Sequence, residues 1–413
     1  MTPEELAAAR KRLEEFAAEV FAPLSRSDQR SKGQTYLRGL LLDGRRKSMQ
    51  PMAERLGVDH QGLQQFVSSS TWPVEPVRQR VAHRAVDVIA PDAWVVDDTG
   101  FPKDGLASPG VARQYCGSLG KVGNCQIGVS VHAVTDVASC PLSWRLFLLA
   151  SWDDAGAATP EAAAAIRARR ARAGIPTGER HRPKWALALE MLDELAGWGL
   201  APPVVVADAG YGNNADFRAG IAARGAPYVV QVEGDLTAHP VDAVPQLRPY
   251  SGRGRRPQPR YRTRPIGLRE HALTAGRDAT AQLTWREGSR GPLTSHFLAI
   301  RVRPAGRNPT ARLAADGSLP TAWLLAEWPP QAAEPTDYWL ADLPETTPLP
   351  ELVRLAKIRW RVEHDYRELK TGLGLDHFEG RTFAGWHRHV TLVTAAQLFV
   401  TLLRNDPKTA VPA

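Results

Sequence analysis

Three acidic side chains, far apart along the chain, occupy positions from which they could bind a metal ion. One apolar run ends in the pair Asp97 and Asp98, a second apolar run ends in Asp208, and Glu363 falls in a segment with helical periodicity. Reactive groups in open α/β sheets gather where strands end, so acids that follow two neighbouring strands would converge. Two carboxylates held close together need a cation between them, which predicts a metal site.

Each acid also has an ordinary structural interpretation. Asp98 begins an Asp-Thr-Gly sequence, which is typical of a turn. Asp208 alone would be a helix cap or a loop residue. Glu363 could belong to a solvated ladder of ion pairs, each contributing only about 0.3 to 0.5 kcal/mol. The metal interpretation therefore depends on the three acids together.

Basic residues accompany Glu363 at helical spacing. Arg359, Glu363, Arg367 and Lys370 are offset by four, four and three residues, which predicts that all four lie on one face of a helix. Carboxylates are the hard oxygen ligands that Mg²⁺ prefers, with Mn²⁺ as a substitute, in metal-assisted phosphoryl transfer. In that chemistry Arg359 and Lys370 would hold the phosphates that flank the cleaved bond.

Composition and motifs narrow the classes of protein that fit this sequence. The net charge of +8 and the pI of about 9.6 favour a polyanionic partner, although an Arg-rich composition can equally reflect a GC-rich genome. The cysteines Cys116, Cys125 and Cys140 are too few and too irregularly spaced for a disulfide framework or a zinc site, so we expect reduced, structural thiols. The GxxxxGK[ST] phosphate loop is absent, which argues against a nucleotide hydrolase.

Residues 1–90 predict an all-helical domain. Thr2, Pro3 and Glu5 form a helix start with a capping box. Residues 52–66 predict a helix, a turn at Gly57 and a second helix capped near Asp59, which is the helix-turn-helix pattern. The second helix would enter a DNA groove, or the segment is an ordinary helical hairpin. The phosphate contacts expected beside it are Arg45, Arg46 and Lys47.

Residues 91–239 alternate between strands and helices. Residues 93–97, 126–133 and 142–148 predict three antiparallel strands. Helices are expected over 160–173 and 184–197, followed by a buried parallel strand at 204–207, a helix from about 215 and a strand at 228–232. This order predicts an α/β fold with a ribonuclease H-like core.

Residues 240–335 interrupt that rhythm and predict an inserted β-rich subdomain, with a strand over 295–303. Within them the Pro/Arg/Gly tract at 248–262 is a disordered basic linker or a loop that follows phosphates. Residues 336–413 return to the core, with a helix from Leu349 that leads into the Glu363 segment and another over about 386–403.

The residues resemble the DDE transposases of bacterial insertion sequences, in the group with a Tyr-Arg-Glu-Lys signature helix. Asp98 with its following Thr resembles the first acid of that family, and Asp208 resembles the second. The spacing of Arg359, Glu363 and Lys370 is similar to the signature. Further similar segments are 99–103, 110–115, 120–124 and 374–381.

One position departs from this pattern. The signature Tyr would fall three residues before Arg359, where this chain has Ala356. A phosphate contact is then missing, or Tyr366 supplies it. Asp97 is the fallback for the first acid.

The resemblance implies an enzyme that cuts and joins DNA with magnesium. Asp98, Asp208 and Glu363 would be both catalytic residues and metal ligands. The residues expected to contact DNA are Arg359, Lys370, Arg367, Thr99 and Lys103. The partners would be double-stranded DNA, both terminal inverted repeats and target, and a second copy of the chain in a homodimeric synaptic complex. Some relatives form a DNA hairpin and stack a flipped base on an aromatic residue, for which Trp285, Trp323 and Trp328 are candidates.

Two other functions fit the same residues. One is a domesticated DNA-binding protein that keeps the fold without transposition, and the other is an unrelated metal-dependent nuclease or phosphatase. No apolar run has the length of a membrane span, and the first residues predict an amphipathic helix rather than a secretory signal. We therefore expect a cytoplasmic, nucleoid-associated protein with no membrane partner.

Overall fold

The computed structural model describes residues 2–254, 257–288, 291–306, 313 and 316–405. The chain is of mixed α/β class, and its strands form a large mixed sheet. It divides into two compact units. The first comprises the described residues through Asp92, Val96–Ala201 and those from Arg361 onward; the second comprises Ala93–Val95 and Pro202–Trp360.

The α-helices are α1 (Pro3–Phe21), α2 (Ser27–Leu41), α3 (Met49–Leu56), α4 (His60–Ser68), α5 (Glu75–Ile89), α6 (Pro160–Arg172), α7 (Lys184–Gly197), α8 (Ala209–Gly212), α9 (Ala215–Ala223), α10 (Leu268–Ala275), α11 (Leu349–Lys357), α12 (Trp360–Thr371) and α13 (Phe383–Arg404). The strands are β1 (Ala93–Pro102), β2 (Ala112–Cys116), β3 (Lys121–Val134), β4 (Ser139–Phe147), β5 (Val205–Ala207), β6 (Tyr228–Val232), β7 (Thr237–Pro240), β8 (Ile266–Gly267), β9 (Ala281–Gly288), β10 (Gly291–Pro304), β11 (Ala322–Glu327) and β12 (Asp337–Ala341). In the described part of the chain, no helix is long and apolar enough to cross a bilayer.

Five helices precede the first strand, and their predicted boundary signals are confirmed. The Thr2 hydroxyl accepts from the Glu5 amide at 3.2 Å while the Glu5 carboxylate accepts from the Thr2 amide at 2.7 Å, which is the capping box. Gly57 ends α3 in the left-handed conformation, with φ 66°, and the Asp59 carboxylate caps α4. These helices belong to the first unit together with β3 and β4, so residue 90 marks a change of secondary structure within that unit.

A buried histidine joins the N-terminal helices to α13. His389 lies between two backbone carbonyls, of Gly374 and Leu375, on its Nε2 side and the Tyr36 hydroxyl on its Nδ1 side, the latter at 2.9 Å. Carbonyls accept only, so Nε2 carries the proton and Nδ1 accepts from Tyr36. Burial lowers the pKa of His389 to about 4, and the ring is neutral in the folded protein.

The sheet of the first unit is built on β3, which pairs antiparallel with β2 and β4. The later part of β1 is its other neighbour, with a hydrogen bond of 3.0 Å from the Lys103 amide to the Asn124 carbonyl. The predicted antiparallel trio is therefore present, and β2 is a strand that the sequence pattern missed. The three cysteines are buried and free, as predicted.

The turn interpretation of Asp98 is wrong, and so is the prediction that its strand ends at the acids. The strand β1 continues to Pro102, which leaves Asp98 in extended backbone. Gly100 permits this course because a Cβ there would lie 2.4 Å from the Cys116 sulfur. The glycine serves close packing against the β2 hairpin and does not form a bend.

The second unit contains the predicted buried strand. Strand β5 pairs parallel with β6, and the Trp94 amide donates to the Val204 carbonyl at 2.8 Å, so the first residues of β1 lie beside β5. The strands that follow β6 along the chain extend this same sheet through β12, which is antiparallel to β6, and then β11, β10, β7 and β8, with β9 on β10. The strand predicted over 295–303 is confirmed within β10.

The ends of the Pro/Arg/Gly tract are held in place. Gln246 and Arg260 form an isolated antiparallel bridge, and the Tyr261 ring stacks on His239 with centroids 4.2 Å apart. The Tyr261 hydroxyl also accepts from the Leu319 amide at 2.9 Å. Residues 255 and 256 of the tract lie outside the described residues. Its role as a linker or a phosphate loop stays a prediction.

The continuous helix predicted around Glu363 is wrong. Helix α11 ends at Lys357 and α12 begins at Trp360, so Arg359 lies in the turn between them and does not share a helix face with Glu363. No Gly or Pro marks this break in the sequence. A tertiary contact lies at this break: the Arg286 guanidinium is 3.4 Å from the centroid of the Trp360 ring. Such packing overrides helix propensity.

A buried polar network fixes the orientation of α12 in the first unit. His132 and Asp365 are both 0% exposed, and their Nδ1 and Oδ2 atoms are 3.5 Å apart. One residue further along α12, the Tyr366 hydroxyl bonds to the Ser130 hydroxyl at 2.7 Å, and Ser130 bonds to His132 at 2.9 Å. A hydroxyl, an imidazole and a carboxylate also occur together in hydrolases, but full burial keeps substrates away from this group, which makes it structural.

We expect Asp365→Ala to lower the free energy of unfolding by about 3 kcal/mol, because it leaves the buried His132 imidazole without its carboxylate neighbour. Urea denaturation would measure the change. The matched control is Glu368→Ala on the same helix, whose pair with Arg404 is partly exposed and should contribute less than about 1 kcal/mol. Equal losses in the two variants would contradict the assigned role of the buried network.

We also expect the protein to lose stability on acidification below pH 6.5. The folded-state pKa of His389 is about 4 and that of His387 about 3, both below the ordinary value of 6.5. The unfolded chain therefore binds more protons in this window, so stability rises with pH from about 4 to 6.5 and is lost as pH falls through it. Each histidine contributes up to roughly 1 kcal/mol per pH unit.

Melting temperatures of the wild type and His389→Gln between pH 7.5 and 5 would check this dependence. The variant should show a shallower decline than the wild type, whereas His60→Gln, at an exposed position, should keep the wild-type slope. A variant whose melting temperature falls as steeply as that of the wild type would exclude His389 as the titrating group.

Candidate active site

Asp98 is half-buried on β1 and binds a cationic side chain. The Lys184 ammonium contacts both of its carboxylate oxygens, at 2.9 and 3.0 Å. Lys184 is the first residue of α7, and both residues belong to the first unit. The carboxylate thus already has a cationic partner. Nothing in the sequence pattern indicated Lys184, because only the tertiary fold brings it to Asp98.

Asp97, the fallback for the first acid, has a different environment. It is only 7% exposed, and its carboxylate accepts a hydrogen bond of 2.7 Å from the Asp98 backbone amide. The Asp98 side chain is 23% exposed. The two carboxylates therefore differ in burial and in partner, and the assignment of Asp98 rather than Asp97 as the first acid stays a prediction.

Asp208 follows β5 in the second unit and caps the short helix α8. Its Oδ1 atom accepts from the Tyr211 amide at 3.3 Å. The predicted capping role is therefore present, and it orients the half-buried carboxylate at the end of the strand. Gly212 allows α8 to pack against β6, because a Cβ there would lie 2.0 Å from the Gln231 carbonyl oxygen.

Glu363 lies on α12 in the first unit, at an exposed position. Seven residues later on the same helix, the Lys370 ammonium donates to the Gly100 carbonyl at 2.7 Å. Gly100 is two residues beyond Asp98 on β1. This contact sets the helix that carries Glu363 against the strand that carries Asp98.

The basic residues predicted to contact DNA have unequal access to solvent. Arg367 is exposed on α12, one turn after Glu363, whereas the side chain of Thr99 is buried. Lys103 and Lys370 donate to the backbone carbonyls of Phe378 and Gly100. Burial lowers the pKa of both lysines, although nearby acids, Asp376 first, oppose this effect. Either lysine would have to leave its carbonyl to reach a phosphate.

Tyr366 does not take the place of the missing signature tyrosine. It is buried in the network around Ser130, and its ring packs at a tilt against Trp144 with centroids 6.2 Å apart. Since its hydroxyl is bonded inside the core, the prediction that it contacts a phosphate is wrong. The basic side chains predicted to contact phosphates beside α4 also differ from the prediction, because Lys47 is buried and donates to the Leu42 carbonyl, while Arg46 pairs with Glu379.

The three tryptophans considered as base-stacking residues all make contacts within the protein. Trp328 is buried and donates to the Ala332 carbonyl, and Trp323 donates to the Pro344 carbonyl, both at 3.1 Å. The Lys357 ammonium lies 5.2 Å from the centroid of the Trp285 ring. Trp360, which the sequence interpretation did not single out, lies under Arg286.

A second cluster of possible metal ligands lies on α12. Ligand atoms of His364, Asp365 and Glu368 lie within 4.8 Å of one another. Asp365, however, pairs with His132 and lies 3.9 Å from Arg361, while Glu368 forms a two-pronged ion pair with Arg404 at 3.0 and 3.1 Å. Metal binding would require these ion pairs to break, so the group is a poor candidate.

The donor chemistry of Asp98, Asp208 and Glu363 fits a hard divalent cation. All three offer carboxylate oxygens at half-buried or exposed positions, and Asp98 already binds a cation through both oxygens. Asp98 and Glu363 belong to the first unit and Asp208 to the second. That all three acids meet around one cation stays a prediction.

One known protein with a related sequence is the probable transposase for insertion sequence element IS701 from Microchaete diplosiphon. It is 27% identical to this chain over 179 residues, which cover 43% of the chain and 41% of that transposase. The alignment thus spans about two fifths of the length of the relative.

The sequence profile described as DDE superfamily endonuclease matches residues 19–292. The match includes four of the five N-terminal helices, the strands β1 to β6 and the acids Asp98 and Asp208; Glu363 lies beyond it. Since the match covers more than half of the chain, the chain belongs to the DDE superfamily endonuclease family.

Proposed function

We propose that this endonuclease is a DNA transposase, which hydrolyses a phosphodiester bond at the ends of a mobile element and joins the freed 3′-hydroxyl to target DNA. The observation that carries the proposal is the contact between Lys370 and Gly100, which sets the Glu363 helix against the Asp98 strand within a DDE endonuclease. The related IS701 protein, described as a probable transposase, supports it.

Asp98, Asp208 and Glu363 would hold divalent ions, with Mg²⁺ as the natural cofactor and Mn²⁺ as its substitute. Membership in the family implies a divalent metal, and the carboxylate donors match the hard oxygen ligands of Mg²⁺. When bound, the ions would activate the attacking hydroxyl and stabilise the leaving oxygen. Asp97 is the alternative first acid.

The proposed core is ribonuclease H-like. Its support is the order of elements along the chain, in which three antiparallel strands, β1, β3 and β4, precede the helices α6 and α7 and the parallel pair β5 and β6. The strands β8 to β11, which lie within residues 240–335, would follow as the insertion before the Glu363 helix. In this proposal residues 91–239 and 336–413 form the core and residues 240–335 the β-rich insertion.

The basic residues of the chain would position the DNA strand. Arg367 is exposed one turn from Glu363 and can contact a phosphate directly. Lys103 ties the end of β1 to the loop at Phe378, and Lys370 ties α12 to β1. These two lysines would therefore position the acids as well as supply positive charge. Arg359 precedes α12 and would reach a neighbouring phosphate, while the buried Thr99 would act through the backbone of β1.

Residues 1–90 would bind the element ends through α4. This helix follows the confirmed turn at Gly57 and exposes Gln61, Gln64 and Gln65 in its first two turns. Glutamine amides read adenine in a major groove through paired hydrogen bonds. Arg45, also exposed, is the basic residue of the preceding loop that remains available for a phosphate.

The proposed assembly is a homodimer that holds two terminal inverted repeats and then captures target DNA. An enzyme with these substrates would act at the bacterial nucleoid, in the cytoplasm. Both proposals rest on the transposition reaction and not on a surface of this chain.

Asp98→Asn and Glu363→Gln should each reduce divalent-dependent cleavage of DNA that carries the element ends by at least about 100-fold, because each removes a metal ligand. End binding should change little. The measurement is cleavage and joining of labelled DNA from the gene's flanks, with and without Mg²⁺, alongside a binding assay.

Glu368→Gln is the matched control for Glu363→Gln, since it lies on the same helix and belongs to the second cluster of possible metal ligands. It should keep most of the cleavage activity. Loss of activity in Glu368→Gln with activity retained in Glu363→Gln would move the metal centre to His364, Asp365 and Glu368. Binding without any cleavage by the wild type would instead identify a domesticated DNA-binding protein.

The double variant Gln61→Ala/Gln65→Ala should bind the element ends about tenfold more weakly, because a bidentate amide contact to a base contributes roughly 1 to 3 kcal/mol. Binding to unrelated DNA, which depends on phosphate contacts, should stay the same. Competition binding at fixed salt would measure both. Gln50→Ala, on the exposed start of α3, is the control, and an equal loss in that variant would contradict a reading role for α4.

A further inference from the structure

Lys184 occupies an unusual position for a lysine. It is the first residue of the 14-residue helix α7, where Pro183 takes the capping position without a side-chain cap. The start of a helix carries partial positive charge, so a cation there is disfavoured by the helix dipole. An attraction to another group must offset this cost, and that group is Asp98.

The ion pair between Lys184 and Asp98 uses the whole carboxylate. The ammonium lies 2.9 Å from Oδ1 and 3.0 Å from Oδ2, which is the position that a cation shared by both oxygens would take. The ammonium also lies 5.8 Å from the centroid of the Phe147 ring. A divalent ion that binds Asp98 therefore meets a positive charge already in place.

The pair is also able to open. The Lys184 side chain is 36% exposed and that of Asp98 is 23% exposed. Solvent on one side lets the four-carbon lysine chain move its ammonium into water at modest cost, since exposed ion pairs contribute little net stability. Lys184 is thus a cation that can be exchanged, unlike a buried structural partner.

We propose that Lys184 is a built-in counter-cation of Asp98, which neutralises this carboxylate while the site lacks metal and competes with the divalent ion for it. The lysine thereby sets the metal concentration at which the site loads. It is a positioning residue, because it acts on the reaction through Asp98. This inference rests on the proposed role of Asp98 as a metal ligand.

Removal of the charge should strengthen metal binding. We expect Lys184→Gln to bind Mn²⁺ about fivefold more tightly than the wild type, since one neighbouring positive charge at a partly exposed carboxylate contributes this order of repulsion. Lys184→Arg keeps the charge and should bind within about twofold of the wild type. The measurement is the free Mn²⁺ signal by electron paramagnetic resonance, on the full chain without DNA.

The control for a general charge effect is Arg180→Gln, which removes the same charge from an arginine that pairs with Asp153 and Asp154 and should leave Mn²⁺ affinity unchanged. Lys184→Met serves as a second neutral variant, with melting temperatures to establish that each protein folds. Unchanged or weaker Mn²⁺ binding in folded Lys184→Gln and Lys184→Met would overturn the inference.

Asp98→Asn separates failure of this inference from failure of the proposed function. Weaker Mn²⁺ binding in Asp98→Asn, with no gain in Lys184→Gln, would reject the competition and keep Asp98 as a ligand. Wild-type Mn²⁺ binding in Asp98→Asn would reject Asp98 as a metal ligand, and the inference with it.

Discussion

The fixed orientation of α12 is the constraint on which the proposed chemistry depends. This helix carries Glu363 on an exposed face and buries the opposite face against β3 through Asp365 and Tyr366. The buried groups are polar, so the helix cannot rotate without separating Asp365 from His132 and breaking the hydrogen bond between Tyr366 and Ser130. An apolar seam would tolerate small rotations, whereas this network fixes the direction in which the glutamate points. Lys370 adds a tie to β1 at the far end of the helix.

The sequence predicted most elements because their signals are local. The capping box at Thr2, the turn at Gly57 and the buried strand before Asp208 each depend on a few adjacent residues, and each is present. The helix break at Arg359 and the continuation of β1 through Gly100 have no local signal. The first accompanies the contact between Arg286 and Trp360, and the second depends on the close approach of Cys116 to Gly100. Both are tertiary effects.

The residues of the candidate site also divide into those that a local sequence pattern identifies and those that only the tertiary fold reveals. Residue type and position relative to strand ends identified Asp98 and Asp208, since a carboxylate after a buried apolar run is visible in sequence. The contacts of the basic residues could not be predicted from the sequence, because the partner of a long side chain depends on the tertiary fold. Lys47 and Lys370 donate to backbone carbonyls, and Lys184, which no motif contains, lies on Asp98. Spacing therefore found the acids and missed the cation that balances one of them.

Gly212 shows how an active centre of this kind can fail without losing an acid. The four-residue helix that Asp208 caps lies so close to β6 that a single methyl group on Gly212 would collide with the Gln231 carbonyl. An alanine there would displace the helix and turn the carboxylate away from its orientation at the strand end. Inactive copies of such a gene can therefore retain all three acids, and a survey that judges activity by the acids alone would count them as functional.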